Sequence, residues 1–170
     1  ELRYHLREAL KAREPSYIRI GKKGEPLIHT ESSILGIGKA NIVRNGDHML
    51  ILSIGPIIKE GIEAANILES QGISVAVVSM GSIKPIDKTN LKRFAMQFKT
   101  WITLEEHSII GGLGSAILEW LNEAGVKDID VIRLGTKDKF IHKLGSQSYV
   151  RKEAGIDKDS IVKRIKSITY

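Results

Sequence analysis

The chain contains no cysteine, which excludes disulfide frameworks, thiolate nucleophiles and Cys-based metal sites together. The absence fits a cytoplasmic, reducing setting. Aromatic residues make up only 5%. Lys and Arg are scattered, with their densest run at Lys158–Lys166. The net charge of +6 is therefore not drawn into a basic stripe interleaved with stacking rings, and a solvated lysine-rich surface is indicated rather than a nucleic-acid site. No apolar run approaches bilayer-spanning length, and no basic segment precedes a short apolar one, so neither insertion nor secretion is signalled. Internal repeats and low-complexity tracts are also missing.

What remains is an ordinary globular balance, 42% hydrophobic and 27% charged over 170 residues. That is enough for one compact domain with a short appendage. The first residue is Glu rather than Met, which reads as a fragment of a longer chain.

The most informative stretch runs from Thr100 to Gly125. Trp101–Leu104 is a short β-rich run, Glu105–Ile110 reads as a loop, and Gly111–Gly114 opens a helix. Ile117, Leu118, Leu121 and Ala124 fall at helical spacing, with Gly125 as the stop. Around it the pattern is regular. Ala40–Arg44 reads as a strand and Asn45-Gly46 as a tight hairpin signal. Met49–Ile54 and Ile73–Met80 are nearly all apolar, as strands covered on both faces are. Between them, Gly55-Pro56 opens a helix whose buried face is Ile57, Gly61, Ala64, Ala65 and Leu68, closed by Gly72. Asp87 caps a helix with Leu91, Phe94, Ala95 and Phe98 inward. Ile129–Leu134 is a further strand, 135–145 an irregular loop, and two helices follow at Ser146–Ala154 and Asp157–Ile168.

Strands alternating with helices predict an α/β fold: a mostly parallel sheet with helices on both faces. Ala40–Arg44 is expected to add one antiparallel edge strand as a hairpin partner. Upstream, Glu1–Arg13 reads as a helix with Leu2, Leu6, Ala9 and Leu10 on one face, and Ser16–Gly21 as a strand. The segment from Gly24 to Gly36 has no sustained period and reads as a linker, which assigns residues 1–24 to a different unit.

Three constellations could carry chemistry. Gly111-Gly112-Leu113-Gly114 could present backbone N–H groups to an anion. The dinucleotide fingerprint wants its first glycine directly after the strand, and six residues intervene here. The competing reading is that these glycines let a helix approach a neighbouring backbone closely. Glu105-Glu106-His107 is raw material for acid–base work. Alternation lets at most two of the three share a face, no hydroxyl nucleophile is evident, and no second His has metal-ligand spacing. A strand-end acid bonded to the turn, with His107 at an interface, is the alternative. Arg19, Lys22 and Lys23 form a small basic cluster that could hold a phosphate or simply be solvated.

These residues resemble the C-terminal part of the transketolase family of thiamine-diphosphate enzymes, which includes deoxyxylulose phosphate synthase and the β-subunits of 2-oxo-acid dehydrogenases. The resemblance is carried by I-R-I-G-K-K-G at 18–24, G-K-A at 38–40 and L-I-L-S-I-G at 50–55. It continues through A-A-N-I-L-E at 64–69, G-I-S-V-A-V-V-S-M at 72–80 and S-I-K-P-I-D at 82–87. I-T-L-E-E-H-S-I-I-G-G-L-G-S-A at 102–116 and R-L-G at 133–135 complete it. The Glu105-Glu106-His107 form is more similar to deoxyxylulose synthases and small split transketolases than to full-length transketolases.

The resemblance implies a Rossmann-like C-terminal domain over residues 37–170, a linker at 31–36, and the tail of a pyrimidine-binding domain at 1–30. It implies a dimer-supporting role in a transferase that moves a two-carbon ketol unit between sugar phosphates. Thiamine diphosphate and Mg²⁺ would be held elsewhere in the parent enzyme and not by this chain. No G-D-G followed by N-N is present for the diphosphate-bound metal, and the pyrimidine-activating glutamate would lie upstream of Glu1. No catalytic residue is then expected here. Lys22, with Arg19 three residues before it, would stand where the family binds the sugar-phosphate tail. Glu106, His107, Gly111, Gly112 and Gly114 would lie at an interface or a possible site. The expected partners are a second copy or an N-terminal transketolase part, and neither nucleic acid nor membrane. An anion- or nucleotide-binding regulatory module using the glycine-opened helix is the alternative from another class. A purely structural dimerisation domain sensitive to changes at His107 and Ile110 is a third.

Overall fold

The computed structural model describes residues 1–21, 25, 27–30, 33, 35–142 and 144–169. Helix α1 spans Leu2–Ala12, followed by strands β1 (Asn41–Arg44) and β2 (Met49–Ser53) and helix α2 (Ile58–Glu69). Then come β3 (Val75–Ser79), α3 (Lys88–Gln97), β4 (Thr100–Ser108), α4 (Leu113–Glu123), β5 (Asp130–Thr136), α5 (Gln147–Ala154) and α6 (Lys158–Thr169). The sheet order is β1-β3-β2-β4-β5, with β1 antiparallel to β3 and every other pair parallel.

Every residue of β2 and β3 is buried, because each strand is flanked on both sides and covered on both faces. One core packs Ile51, Val75, Val77, Ile102 and Leu104 against Ala64, Ala65 and Leu68 of α2 and Ile161 and Ile165 of α6. The other packs Leu50, Leu52, Val78 and Trp101 against Leu91 and Phe94 of α3 and Leu113, Ile117 and Trp120 of α4. Full burial of each such side chain contributes about 1.5–3 kcal/mol. Alternate residues of one strand feed opposite cores, as a period of two requires.

Several expectations change in the fold. The antiparallel edge strand exists, but it pairs with β3 and makes no hairpin with β2. Both edges of β2 are already taken by parallel neighbours, so β1 can only lie outside β3. The connection crosses the start of β3, where a Cβ on Gly46 would collide with the Val75 carbonyl carbon. Gly46 serves that close approach, and it does not adopt the positive φ of a primed hairpin turn. Residues 15–21 form no strand; among the described residues no ladder partner reaches them, and an extended segment without one has no sheet to join.

Helix α4 begins at Leu113, within the glycine cluster expected to open it. Its inner face is Leu113, Ile117, Trp120 and Leu121, with Leu118 exposed and Ala124 past the last turn. Trp120 stacks on Trp101 with ring centroids 6.3 Å apart. The buried stripe therefore runs i, i+4, i+7 and i+8 from Leu113. None of the apolar residues of α1 is fully buried.

Asp87 caps α3 and ties its start to the entrance of β1. Its carboxylate accepts from Asn90 N at 3.0 Å, Asn90 Nδ2 at 2.7 Å and Ala40 N at 2.9 Å. Burial opposes its charge, but the N–H groups of Ala40 and Asn90, the Asn90 amide and nearby Lys39 win. Together they hold the carboxyl below its ordinary value of 3.8. A folded-state pKa below the unfolded one gives stability that is fully present above the unfolded value and lost as pH falls through the folded value. Asp87→Asn is expected to lower stability at neutral pH by about 1–2 kcal/mol. It should also flatten the acid limb of the stability curve below about pH 4. Urea melts over that range check both, and an unchanged acid limb rejects the assignment.

Candidate functional site

In an open α/β sheet the ligand crevice lies at the carboxyl ends of the strands where the chain reverses direction across the sheet. In this sheet that point is between β2 and β4. From β2 the chain crosses through α2 to β3 on one side; from β4 it crosses through α4 to β5 on the other. The strand ends are stitched by Ile54 N–H donating to the Leu104 carbonyl at 3.1 Å.

Strand β4 does not stop at Leu104. It continues through Glu105, Glu106 and His107 to Ser108, which pairs with Thr136 after an irregularity in the ladder. Of the expected loop, Glu105–Ser108 is therefore strand and Ile109-Ile110 is not, and β5 extends correspondingly through Gly135 and Thr136. Gly135 makes this possible, because a Cβ there would come within 2.8 Å of the His107 carbonyl oxygen.

Alternation sends the two glutamates to opposite faces. Glu105 is 1% exposed and turns toward α4. Its Oε2 accepts from Leu113 N at 2.8 Å and its Oε1 from Gly114 N at 2.9 Å. A carboxylate across the first N–H groups of a helix satisfies two orphan donors and complements the positive end of the helix dipole. Gly112 leaves room for it, since a Cβ there would collide with Glu105 Oε2. Gly114 lies against Arg133 and Thr103, with Thr103 Oγ1 at 2.8 Å from such a Cβ. These glycines thus permit close approach, chiefly to side chains rather than to the neighbouring backbone that was expected. Gly111 has φ 75, and its N–H donates to Ser115 Oγ at 2.9 Å. The Gly111, Leu113 and Gly114 N–H groups are thus bonded within the chain. An incoming phosphate would have to expel Glu105.

Glu106 faces the other layer. It accepts from Arg151 Nε at 2.7 Å and Gln147 Nε2 at 3.0 Å, both on α5. Arg151 also reaches Glu60 Oε1 on α2 at 3.2 Å, and the other Glu60 oxygen accepts from Lys158 N at the start of α6 at 2.9 Å. One guanidinium therefore clamps β4, α2 and α5, and Glu60 adds α6. Beside it, Glu63 hydrogen-bonds Lys158 at 3.2 Å and holds that ammonium above its ordinary range. His107 is exposed, and its Nδ1 lies 2.9 Å from the carbonyl oxygen of Ser108. Glu105, Glu106 and His107 are not brought together as an acid–base constellation.

Arg19 is exposed on the irregular segment before residue 22; Lys22 lies outside the described residues. Sequence reasoning missed Arg151, Gln147 and Glu60, whose links span 41 to 98 positions and carry no local signature. Among the described residues, no group of three or more His, Asp or Glu is placed to hold a metal ion. None of the described helices is long and apolar enough to cross a membrane.

The geometry defines a doubly wound α/β domain whose switch point is sealed from within, unlike a nucleotide-binding one. A family model described as the transketolase C-terminal domain matches residues 38–161, and the chain belongs to that family. It is 35% identical over 95% of its length to a 1-deoxy-D-xylulose-5-phosphate synthase of Halothermothrix orenii, of which it covers 26%. It is 33% identical to a putative transketolase C-terminal section of Methanocaldococcus jannaschii, covering 95% of this chain and 52% of that protein. A solved split-gene transketolase, described as an inactive β4 tetramer, superposes with a TM-score of 0.86 at 31% identity. That match covers 95% of this chain and 52% of the solved one. A Campylobacter jejuni transketolase at 18% identity and TM-score 0.58 shares the fold. The chain thus spans between about a quarter and a half of these relatives, which are larger transketolase-type proteins.

Glu105→Ala is expected to lower stability by about 2–3 kcal/mol, since it strands buried N–H groups that now bond a carboxylate. Gly112→Ala should cost a similar amount by displacing that carboxylate. Because both act on one interaction, the double variant should fall well short of the sum. Additive losses in denaturant melts would reject a shared mechanism. Arg151→Ala leaves Glu60 and Glu106 uncompensated and should cost about 2 kcal/mol. Hydrogen exchange should show the loss concentrated in α5 and α6, with β2 and β3 protected as before.

Proposed function

We propose that this chain is the C-terminal, dimer-supporting part of a transketolase-type thiamine-diphosphate enzyme that transfers a two-carbon ketol unit between sugar phosphates. Family membership supports the enzyme class, and members of the family are thiamine-diphosphate-dependent. The single observation that carries the supporting role is the Glu105 carboxylate filling the helix N-terminus at the switch point. A domain that commits its best anion site to its own side chain is built to hold geometry. Thiamine diphosphate and Mg²⁺ are then bound by other parts of the enzyme. This chain contributes a stiff platform, as a homodimer or paired with an N-terminal transketolase part.

In this reading residues 37–170 are the C-terminal domain, 31–36 the connection, and 1–30 the closing tail of the pyrimidine-binding domain. Lys22 and Arg19 lie in that tail and bind the phosphate end of the sugar substrate. Lys acts there as a point charge, and Arg can offer a planar fork. The setting is the cytoplasm.

Calorimetric titration of thiamine diphosphate with Mg²⁺ into the isolated chain is expected to give no binding heat, and micromolar affinity would overturn the proposal. Adding a transketolase N-terminal section that carries the cofactor motifs should give a complex with ketol-transfer activity. Activity of that mixture unaffected by Lys22→Ala and Arg19→Ala would remove the phosphate role alone.

A further inference from the structure

Helix α1 has 11 residues, none of them buried. Leu2, Leu6 and Leu10 are 48%, 49% and 75% exposed, so its apolar face does not hold it to the sheet. An isolated helix of this length is marginal in water. Among the described residues, its hydrogen bonds and ion pair with the domain gather at its N-terminal turn. Glu1 Oε1 accepts from the Ser79 hydroxyl at 2.8 Å and lies 3.0 Å from His29 Nε2. His5 Nε2 lies 3.2 Å from the Gly36 carbonyl oxygen, and its ring rests against Gly81, where a Cβ would come within 2.9 Å of it.

Ser79 is the last residue of β3 and is buried. Directly across the antiparallel ladder is Asn41, also buried, so the two side chains share one face of the sheet. Asn41 Nδ2 and His29 Nδ1 are both buried without a hydrogen-bond partner among the described residues. The corner therefore gathers the polar side chains of Glu1, His29, Asn41 and Ser79, while Ile28 and Val43 pack on the apolar core. Hydrogen bonds in such a partly desolvated corner are stronger than the same bonds on an open surface.

We propose that Glu1, His29 and Ser79, with Asn41 beside them, form a polar latch that fixes α1 and residues 27–30 at the corner of the sheet where β3 ends and β1 begins. One carboxylate oxygen receives a donor from the sheet and another from the connecting segment. Loss of Glu1 therefore releases both ties, whereas loss of Ser79 releases one. The latch positions a helix and requires no assumption about catalysis. Its failure would leave the proposed function standing, and the reverse is equally true.

The test is native-state hydrogen exchange on the full chain, comparing wild type with Glu1→Ala, Ser79→Ala and the double variant. Amides in the last two turns of α1 are expected to exchange at least about tenfold faster in each single variant, as fits a short helix that has lost its tether. Amides of β2 and β4 should stay within about twofold of wild type, and the double variant should exchange no faster than Glu1→Ala alone. Unchanged α1 exchange in both single variants would overturn the latch. So would multiplicative effects in the double variant. Equal loss of protection across the whole sheet would overturn it too, because the contact would then be part of the global core.

Discussion

The fold turns on a carboxylate placed against the start of a helix. Glu105 is carried inward by β4 at the point where the sheet's connections diverge, and α4 begins where Glu105 accepts its first N–H groups. Much of the local sequence follows from that contact. Gly112 must lack a side chain for the carboxylate to fit, Gly114 must lack one for the helix to sit on Thr103 and Arg133, and Gly135 must lack one for β5 to follow β4 past His107. A buried charge is tolerable only when its oxygens are filled with donors, and the helix terminus supplies them at fixed geometry. Helix α4 then delivers Leu113, Ile117 and Trp120 to one of the two cores.

The same strand end organises the opposite layer by different chemistry. Glu106 cannot share the Glu105 face, so it meets Arg151 and, through it, Glu60 and the start of α6. Two adjacent glutamates thereby lock helices on both sides of the sheet. Many α/β proteins hold a ligand at the carboxyl end of the sheet; in this chain internal hydrogen bonds and ion pairs occupy it. That division suits a domain whose relatives are larger transketolase-type proteins, in which a rigid platform and a reaction centre can belong to different parts of the polypeptide.

Much of the fold was legible in the residues. The nearly all-apolar runs at 49–54 and 73–80 read as strands with both faces covered, and β2 and β3 are buried throughout. Gly61, Ala64, Ala65 and Leu68 lie on the buried face of α2, and Asp87 caps α3. The errors came where a local signal had more than one physical cause. Asn45-Gly46 matched a hairpin, but its glycine answers the crossing of Val75 and Ala76. Glu105–Ser108 looked like a loop because its residues are polar, although pairing with β5 keeps it extended. Leu118 fitted the expected helical spacing, but the buried stripe runs through Leu113, Ile117, Trp120 and Leu121 and leaves it exposed.

The sequence by itself determined the alternation of strand and helix, the two-sided burial of the central strands and the family, because hydrophobic periodicity and ordered motifs are local properties. Only the tertiary structure decided which edge of the sheet β1 joins, what the glycine cluster is for, and which partners Glu105, Glu106 and Glu1 take. Those depend on contacts between residues as far as 78 positions apart, where no neighbouring residue records what will arrive. A carboxylate in a sequence is only a possible acceptor; packing chooses its donor.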